Sequence, residues 1–435
     1  MDFLNNLFLP PSATHLHLVK YMILLVYFIH IPFISLLFGG LFYSLYFRVL
    51  TVIEKKDFYL DVSRDFADIL IFRKSAGIFL GVLPLIILTL IEGQVFYDAP
   101  IQIVSFMIYT TILVAVGISL AYFYQSTFRM SGVGFLLQLF SGGFALIFLI
   151  IAYYIFWAAS ALVLDPGRWF IITQVWELLY SWNAVARFLH FVTASFAVAG
   201  VALLFFFFNW KEFQQEADPE YAFYMRKVGG GIALAFTLLQ PIFIFWNLAT
   251  MPNVALSAPV YALSILVLIL MFFISMTLYL LLRDHRVKLG TNAFMLFIFT
   301  FLVMIVNDHV ARESATQNQT QVLVTRAEEV QGKLKAEREA QMASAEQPDV
   351  QLGEKIYNEQ CSTCHQFDKR VVGPAYNSVL SQYSDKREEL VKFVRNPYKI
   401  NPDYPPMPNL GLTDHQAQSV IAYLYKHFEE EKNKK

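Results

Sequence analysis

Long apolar runs constrain this chain more than any other feature of its sequence. About 20 mostly apolar residues are needed to cross the hydrocarbon core of a membrane, and eight such runs occur in the first 310 residues. Their approximate bounds are 21–47, 75–97, 101–124, 133–164, 183–209, 228–250, 259–282 and 292–308. With 57% apolar and 15% charged residues, the chain departs from the composition of water-soluble globules. The sequence predicts an all-α fold that begins with an eight-helix transmembrane bundle.

The cationic residues divide the chain into a membrane part and a polar part. Sixteen of the 33 lysines and arginines lie in the first 310 residues, and 17 lie in the last 125. We predict a transmembrane domain over 1–310, a helical or flexible linker over 311–348 and a soluble domain over 349–435. The first apolar run is too long for a cleavable signal peptide and has no basic segment before it. The net charge of −1 gives no indication of a nucleic-acid partner.

Loop charges predict how the spans are oriented. The loops on one side of the membrane carry thirteen lysines and arginines, whereas the other side carries only Lys20, Arg168 and Arg187. Loops rich in Lys and Arg face the cytoplasm. We therefore expect a multi-pass protein of the bacterial cytoplasmic membrane, in contact with lipid, with both termini and the soluble domain on the outer side.

The two cysteines form a covalent haem-attachment motif, Cys361-Ser362-Thr363-Cys364-His365. In this pattern the two thiols add to the haem vinyl groups and the following imidazole binds iron. The chain has no second cysteine pair to complete a zinc site, and no thioredoxin-like pattern surrounds the motif. The sequence predicts one haem c on Cys361 and Cys364, with His365 as iron ligand. Haem attachment takes place outside the bacterial cytoplasm, in agreement with the loop charges.

The residues around this motif resemble class I cytochrome c over about 350–435. Gly373 and Pro374 follow the motif after a short loop, and Met407 lies in the proline-rich segment YPPMP. The resemblance implies that Met407 is the second iron ligand and that Pro374 positions the imidazole of His365. Ligation by Met and His raises the reduction potential, which suits an electron carrier.

Two histidines lie inside the spans, where ionisable groups are costly and are functional candidates. His30 in the first span and His190 in the fifth each lie about ten residues from the outer surface. In a chain that carries haem, we interpret them as ligands of one or two b-type haems. Hydrogen-bonded packing is the alternative for each. Arg187 precedes His190 by three residues and is positioned to pair with a haem propionate, or to anchor the span at the interface.

The segment WNAVARFLHFVTASF around His190 resembles the haem-binding fifth helix of subunit I of cytochrome bd-type quinol oxidases. The similarity extends over about residues 20–250. It implies that His190 binds a low-spin haem b, that Arg187 holds its propionate and that His30 binds a second haem b. It also implies that a second, similar membrane subunit is a partner.

Carboxylates near the outer side are candidates for accepting quinol protons, because quinol oxidation releases two protons with two electrons. Glu92, in the segment IEGQVF, resembles a carboxylate of the same family and is implied to lie beside the second haem. We name Glu92 as the candidate catalytic residue and Glu177 as its alternative; a satisfied buried carboxyl group is the other interpretation. The second ligand of the His190 haem is open between His30 and Met251.

The sequence also departs from the bd-type family. The loop between spans six and seven, long in that family, is reduced to about 251–258, and the family's later ligand motifs are absent after residue 259. Our main hypothesis is respiratory electron transfer between the quinone pool and cytochrome c, or another redox protein, through b-type and c-type haems. The alternatives are a cytochrome c-linked bd-like terminal oxidase, a haem-carrying wiring or anchor subunit of a larger respiratory complex, and a membrane domain that only tethers the cytochrome.

Overall fold

The computed structural model describes residues 13–71, 74–97, 99–130, 132, 134–209 and 218–433. Within these ranges the fold is all-α, without strands. The chain forms two compact units, Met1–Glu328 and Glu329–Lys435, and each is treated by itself below. Among the described residues of the first unit, eight helices are long and apolar enough to cross a membrane. The prediction of eight spans is confirmed, and the chain is a multi-pass membrane protein.

The described helices are numbered in chain order. The helices that begin in the first unit are α1 (Ala13–Glu54), α2 (Phe58–Leu70), α3 (Gly77–Val95), α4 (Ile103–Thr127), α5 (Phe135–Val163), α6 (Trp182–Asn209), α7 (Pro219–Thr250), α8 (Ala258–Asp284), α9 (Lys288–Ala315) and α10 (Gln317–Glu346). The helices of the second unit are α11 (Val350–Ile356), α12 (Tyr376–Val379), α13 (Arg387–Arg395) and α14 (Asp414–Lys432). Helix α2 is short and does not span, and α3 begins with a π-helical turn.

Helix α6 runs through the middle of the membrane bundle. In its apolar 18-residue stretch 72% of the residues are buried, more than in any other candidate span of the described chain. Small residues let its backbone approach its neighbours: a Cβ atom at Gly200 would lie 2.5 Å from the carbonyl oxygen of Gly229 on α7. A Cβ atom at Gly39 on α1 would likewise overlap the backbone carbonyl oxygen of Ser195 on α6. Such contacts are typical of helix packing in membranes, and they place the helix that carries His190 at the centre.

Ion pairs bring together the helix ends that the predicted topology places on one side. Lys20, at the start of α1, pairs at 3.2 Å with Glu313, at the end of α9. Arg312, also at the end of α9, pairs with Glu92 near the end of α3. These contacts define what we call the Arg312 end of the bundle, where α1 and α6 begin and α3, α5, α7 and α9 end.

The predicted linker, 311–348, differs from a freely solvated spacer at its start. The last span continues to the end of α9, and α10 follows it almost without a break. On α10, Leu323 and Ala327 are buried, and the Gln319 side chain donates a hydrogen bond to the Tyr97 carbonyl oxygen. From residue 329 to 339 the side chains are exposed. The first part of the linker is therefore packed on the membrane unit, and the domain bounds given above stay a prediction.

Candidate functional site

The second unit contains a cavity of about 550 Å³ built around the cysteine motif. Cys361, Cys364, His365 and Met407 all line it. The structure thus brings the methionine from the proline-rich loop to the same space as the two thiols and the imidazole. Two thiols, one imidazole and one thioether are the donor set of a covalent haem with Met/His ligation, so the residues present fit haem c.

The imidazole of His365 is held in one orientation. Its Nδ1 lies 3.0 Å from the carbonyl oxygen of Pro374. A carbonyl oxygen can only accept, so Nδ1 carries the hydrogen and Nε2 is left for iron. The ring stacks on Tyr376 with centroids 5.1 Å apart. A Cβ atom at Gly373 would overlap the His365 ring, so only glycine fits beside it.

Close packing of α11 on α14 shapes the cavity from the outside. A Cβ atom at Gly353 would overlap the backbone carbonyl of Ser419, so α11 has no room for a side chain where it meets α14. The buried residues of both helices form the core of this unit. Burial, with a smaller contribution from Cys364, raises the pKa of the Cys361 thiol to about 11. Before haem attachment this thiol is therefore neutral.

This geometry defines a c-type cytochrome domain, and comparison with known proteins agrees. Residues 348–424 match the family described as "Cytochrome C oxidase, cbb3-type, subunit III". An 88-residue stretch is 31% identical to Cytochrome c-551 of Pseudomonas aeruginosa strain PAO1 and covers 20% of this chain and 81% of that protein. The chain belongs to the cytochrome c family through its C-terminal domain. It is an electron-transfer protein with a membrane domain, whereas the bd-type resemblance stays a prediction.

A second cavity, of about 100 Å³, lies in the membrane unit at the Arg312 end, between α1 and α5–α9. We call it the His190 cavity because His190 lines it. The imidazole Nε2 is buried and has no hydrogen-bond partner among the described residues, while Gln240 is a hydrogen-bond neighbour of the ring. The thioether of Met251 lines the same cavity, as does that of Met304, which the sequence analysis missed.

The donors of the His190 cavity fit a b-type haem, but the cavity must widen to take one. A buried imidazole nitrogen without a partner is costly unless a ligand binds it. Imidazole and thioether are both haem ligands. The cavity has less than a fifth of the volume of the haem c cavity. Its lining side chains would have to move apart for a porphyrin to enter.

Arg187 also lines the His190 cavity, but most of its guanidinium already has partners. Its Nη2 pairs with Asp308 on α9 and donates a hydrogen bond of 3.0 Å to Ser160 Oγ. The guanidinium carbon lies 5.3 Å from the centroid of the Trp157 ring. Only Nε is buried without a partner in the described structure. Contact with a propionate stays a prediction, and Nε is the donor available for it.

His30 is fully buried, and both of its nitrogens are engaged. Nδ1 lies 3.0 Å from the carbonyl oxygen of Leu80, in the π-helical turn of α3, and Nε2 lies 2.8 Å from the hydroxyl of Tyr153. Iron at Nε2 would have to displace that hydroxyl. The role of His30 as a haem ligand stays a prediction, whereas the observed contacts are those of a hydrogen-bonded packing residue.

Glu92 is fully buried in a two-pronged ion pair. Its two carboxylate oxygens lie 2.7 and 2.5 Å from Nη1 and Nη2 of Arg312. Proton transfer to Glu92 would break this pair, and its role as proton acceptor stays a prediction. Arg312 was missed because it falls in the predicted linker. Its spacing from Asp308, four residues and so one helical turn, was the available signal for a shared face.

Glu177, the alternative carboxylate, caps a short helical turn, Val175–Tyr180. Its Oε2 accepts hydrogen bonds from the backbone amides of Thr173 and Gln174 at 2.7 and 2.9 Å. These amides, chiefly that of Gln174, lower the pKa of Glu177. A carboxylate stabilised in this way is a weak base, and its hydrogen bonds stabilise the start of this turn.

Proposed function

We propose that this chain is a respiratory electron-transfer protein that passes electrons from the quinone pool to a cytochrome c or another redox protein. In this proposal the membrane unit binds haem b at His190 and the second unit binds haem c. When bound, the haems supply reversible one-electron transfer. The observation that carries the proposal is the His190 imidazole: its buried Nε2 has no partner in the described part of the chain, and it lines a cavity shared with two thioethers.

Different residues of the His190 cavity are proposed to bind different parts of the haem. His190 offers Nε2 to iron, and Gln240, a hydrogen-bond neighbour of the imidazole, is the outer-sphere residue placed to orient the ring. Met251 or Met304 supplies a thioether. Arg187 offers Nε to a propionate.

The second unit is suited to accept electrons in this proposal. His365 and Met407 form a ligand pair that raises the reduction potential, so this unit withdraws electrons from a quinol. Pro374 keeps the imidazole in the tautomer that leaves Nε2 to iron. The expected outer location of this unit gives it access to a soluble or complex-bound acceptor.

The geometry favours this function over a terminal oxidase. The oxidase hypothesis requires a second, oxygen-binding haem at His30, whose nitrogens contact Leu80 and Tyr153. Assembly with further respiratory-complex subunits, including a second bd-like membrane subunit, is compatible with the proposal. Carbon monoxide tests the oxidase alternative, since a difference spectrum without a carbon monoxide adduct excludes it.

Anaerobic reduction of the purified full chain tests the proposal. A short-tail ubiquinol and a short-tail menaquinol are mixed with oxidised protein, and the b and c absorption bands are followed with time. We expect both haems to become reduced. His190→Ala should lose the b band and its quinol-driven c reduction, while His285→Ala, in the loop between α8 and α9, should behave as wild type.

Two results would contradict the proposal. If dithionite reduces the wild-type haems but neither quinol does, the quinone pool is not the donor. If His190→Ala keeps the wild-type b band, His190 is not the ligand.

A further inference from the structure

A third cavity, of about 310 Å³, lies next to the His190 cavity at the Arg312 end. It is formed by the end of α5, the 165–182 segment, the start of α6 and the end of α7. We call it the Asn183 cavity. Its volume is at the lower limit of small-molecule sites, which span about 300–1,000 Å³. Asn183 lines this cavity and Asn247 lines the His190 cavity, so the hydrogen bond between the two amides, 2.9 Å long, joins the cavity walls.

The amide of Asn183 has a defined orientation. Its Nδ2 donates to the backbone carbonyl oxygen and Oδ1 of Asn247 and to Oγ1 of Thr250, all on α7. Because a backbone carbonyl can only accept, the nitrogen must face α7. The residue is 6% exposed, and its Oδ1 is buried without a partner among the described residues. An orphaned acceptor of this kind is costly, and it calls for a ligand with a hydrogen-bond donor.

A carboxylate supplies a second acceptor in the same cavity. Asp165, directly after α5, lines the cavity and forms no ion pair within the described chain. The other titratable side chains that line the cavity are Arg168 and Tyr180. Apolar side chains, including Leu162 and Ile172, form other parts of the wall. The cavity therefore suits a flat, largely apolar ring that bears two hydroxyl groups.

Exposed aromatic residues lie on the segment that forms this cavity, and Tyr180 and Trp182 line it. Phe170, Trp176, Tyr180 and Trp182 all lie in or next to the segment that forms it, and all are strongly exposed. Aromatic side chains concentrate where a membrane meets water. We therefore place the cavity at the level of the lipid head groups, where a membrane-dissolved ring with a polar edge can enter.

We propose that the Asn183 cavity binds the quinol head group, with Asn183 Oδ1 accepting a hydrogen bond from one hydroxyl and Asp165 taking a proton from the other. This assignment rests on the function proposed above and gives that function its substrate site. It replaces Glu92, whose carboxylate is held by Arg312, as the first proton acceptor.

The reaction balances within this site and the haems. Both quinol O–H bonds break; one proton passes to the Asp165 carboxylate, and the other passes to water at the cavity mouth. Two electrons leave the ring, and two ferric haems, held as proposed above, would each accept one of them. The product quinone carries only acceptors, so it loses its hydrogen bond to Asn183 Oδ1. That loss favours its exchange for another quinol.

Stopped-flow reduction of the full chain by short-tail ubiquinol and menaquinol tests this site. We expect Asn183→Leu to raise the half-saturating quinol concentration about tenfold, the worth of one hydrogen bond. We expect Asp165→Asn to lower the maximal rate about 100-fold, within the range of general base catalysis.

Haem content separates a binding effect from misfolding. Both variants should keep the wild-type amounts of haem b and haem c, and Asp61→Asn, an exposed carboxylate on α2, should match wild type throughout. If Asn183→Leu loses haem, the maximal rate of Asp165→Asn decides. Wild-type kinetics in Asp165→Asn would overturn the site while the proposed function stands. Failure of quinol to reduce the wild-type haems would instead overturn the proposed function, and this site with it.

Discussion

Gly373 shows how one residue controls the haem c cavity. The ring of His365 occupies the space that a side chain at position 373 would need. We expect Gly373→Ala to lower covalent haem c incorporation severalfold, because the imidazole must move away from its hydrogen bond to Pro374. Intact mass and the c-type haemochrome spectrum measure this loss. Gly332→Ala, on the exposed part of α10 with open space around it, is the matched control and should incorporate haem normally.

We expect Met407, as the second iron ligand, to set the potential of the same site. Met/His ligation holds the reduction potential high, and axial ligands tune haem potentials over about 0.8 V. Met407→His should therefore lower the midpoint potential of haem c by on the order of 0.1 V or more. Potentiometric titration of the purified protein gives the value. An unchanged midpoint would mean that Met407 is not the ligand, although it lines the cavity.

Single residues were predictable from sequence where the chemistry is local. The haem c motif is contiguous, and His190 stands out as an ionisable group in an apolar helix. Arg312, Met304 and Asn183 were not identified, because each depends on a partner from a distant helix. The hydrogen bonds of the Asn183 amide, for example, can be identified only once α7 is placed beside α6.

At the scale of helices, the Arg312–Glu92 pair joins α9 to α3. Removing one partner of a buried ion pair leaves an uncompensated charge and costs about 3–5 kcal/mol. We expect Arg312→Leu to lower the free energy of unfolding by this amount, measured by thermal or denaturant unfolding in detergent. The double variant Arg312→Leu with Glu92→Leu should recover most of the loss. Equal destabilisation in the single and double variants would show that the charges are not coupled.

A second polar contact joins the short helix α2 to α7. The hydroxyl of Tyr221 donates a 2.6 Å hydrogen bond to Asp65 Oδ2. Burial raises the pKa of Asp65 to about 6 from its ordinary value of 3.8. A raised carboxyl pKa means that the folded state disfavours the ionised form, so stability falls as the pH rises from about 4 to above 6.

Asp65→Asn removes that ionisation and keeps an acceptor for Tyr221. At pH 8 the variant should be more stable than wild type by up to about 3 kcal/mol, from a shift of about two pKa units at 1.36 kcal/mol each. At pH 4 the gain should vanish. Thermal unfolding at both pH values provides the comparison, and an equal difference at both would contradict the assigned pKa.

Helix existence was predictable from hydropathy, but helix ends were not. The first span was predicted over 21–47, whereas α1 covers Ala13–Glu54. Apolar content predicts a span only up to the first charged residues, whereas the helix can continue past them where those charges form ion pairs. Lys20 with Glu313 extends the first and last spans in this way, and Arg312 with Glu92 carries α9 into the predicted linker.

The whole chain combines an eight-span membrane domain with a cytochrome c domain. The sequence predicted this combination because the length of the apolar runs is sufficient to predict the membrane half and the cysteine motif is sufficient to predict the cytochrome half. It did not predict the two cavities at the Arg312 end, because the His190 cavity is lined by six helices and the Asn183 cavity joins the 158–183 stretch to the distant end of α7. In the proposed function, the membrane half acts through what those cavities bind.

Haem stoichiometry tests the central claim most directly. Pyridine haemochrome spectra of the purified full chain separate covalent haem c from extractable haem b, and the two are counted per polypeptide. We expect one haem c and at least one haem b in the wild type, with at least one haem b lost in His190→Ala and none lost in His285→Ala. One haem c and no haem b in the wild type would contradict the proposal and leave a cytochrome c tethered to the membrane.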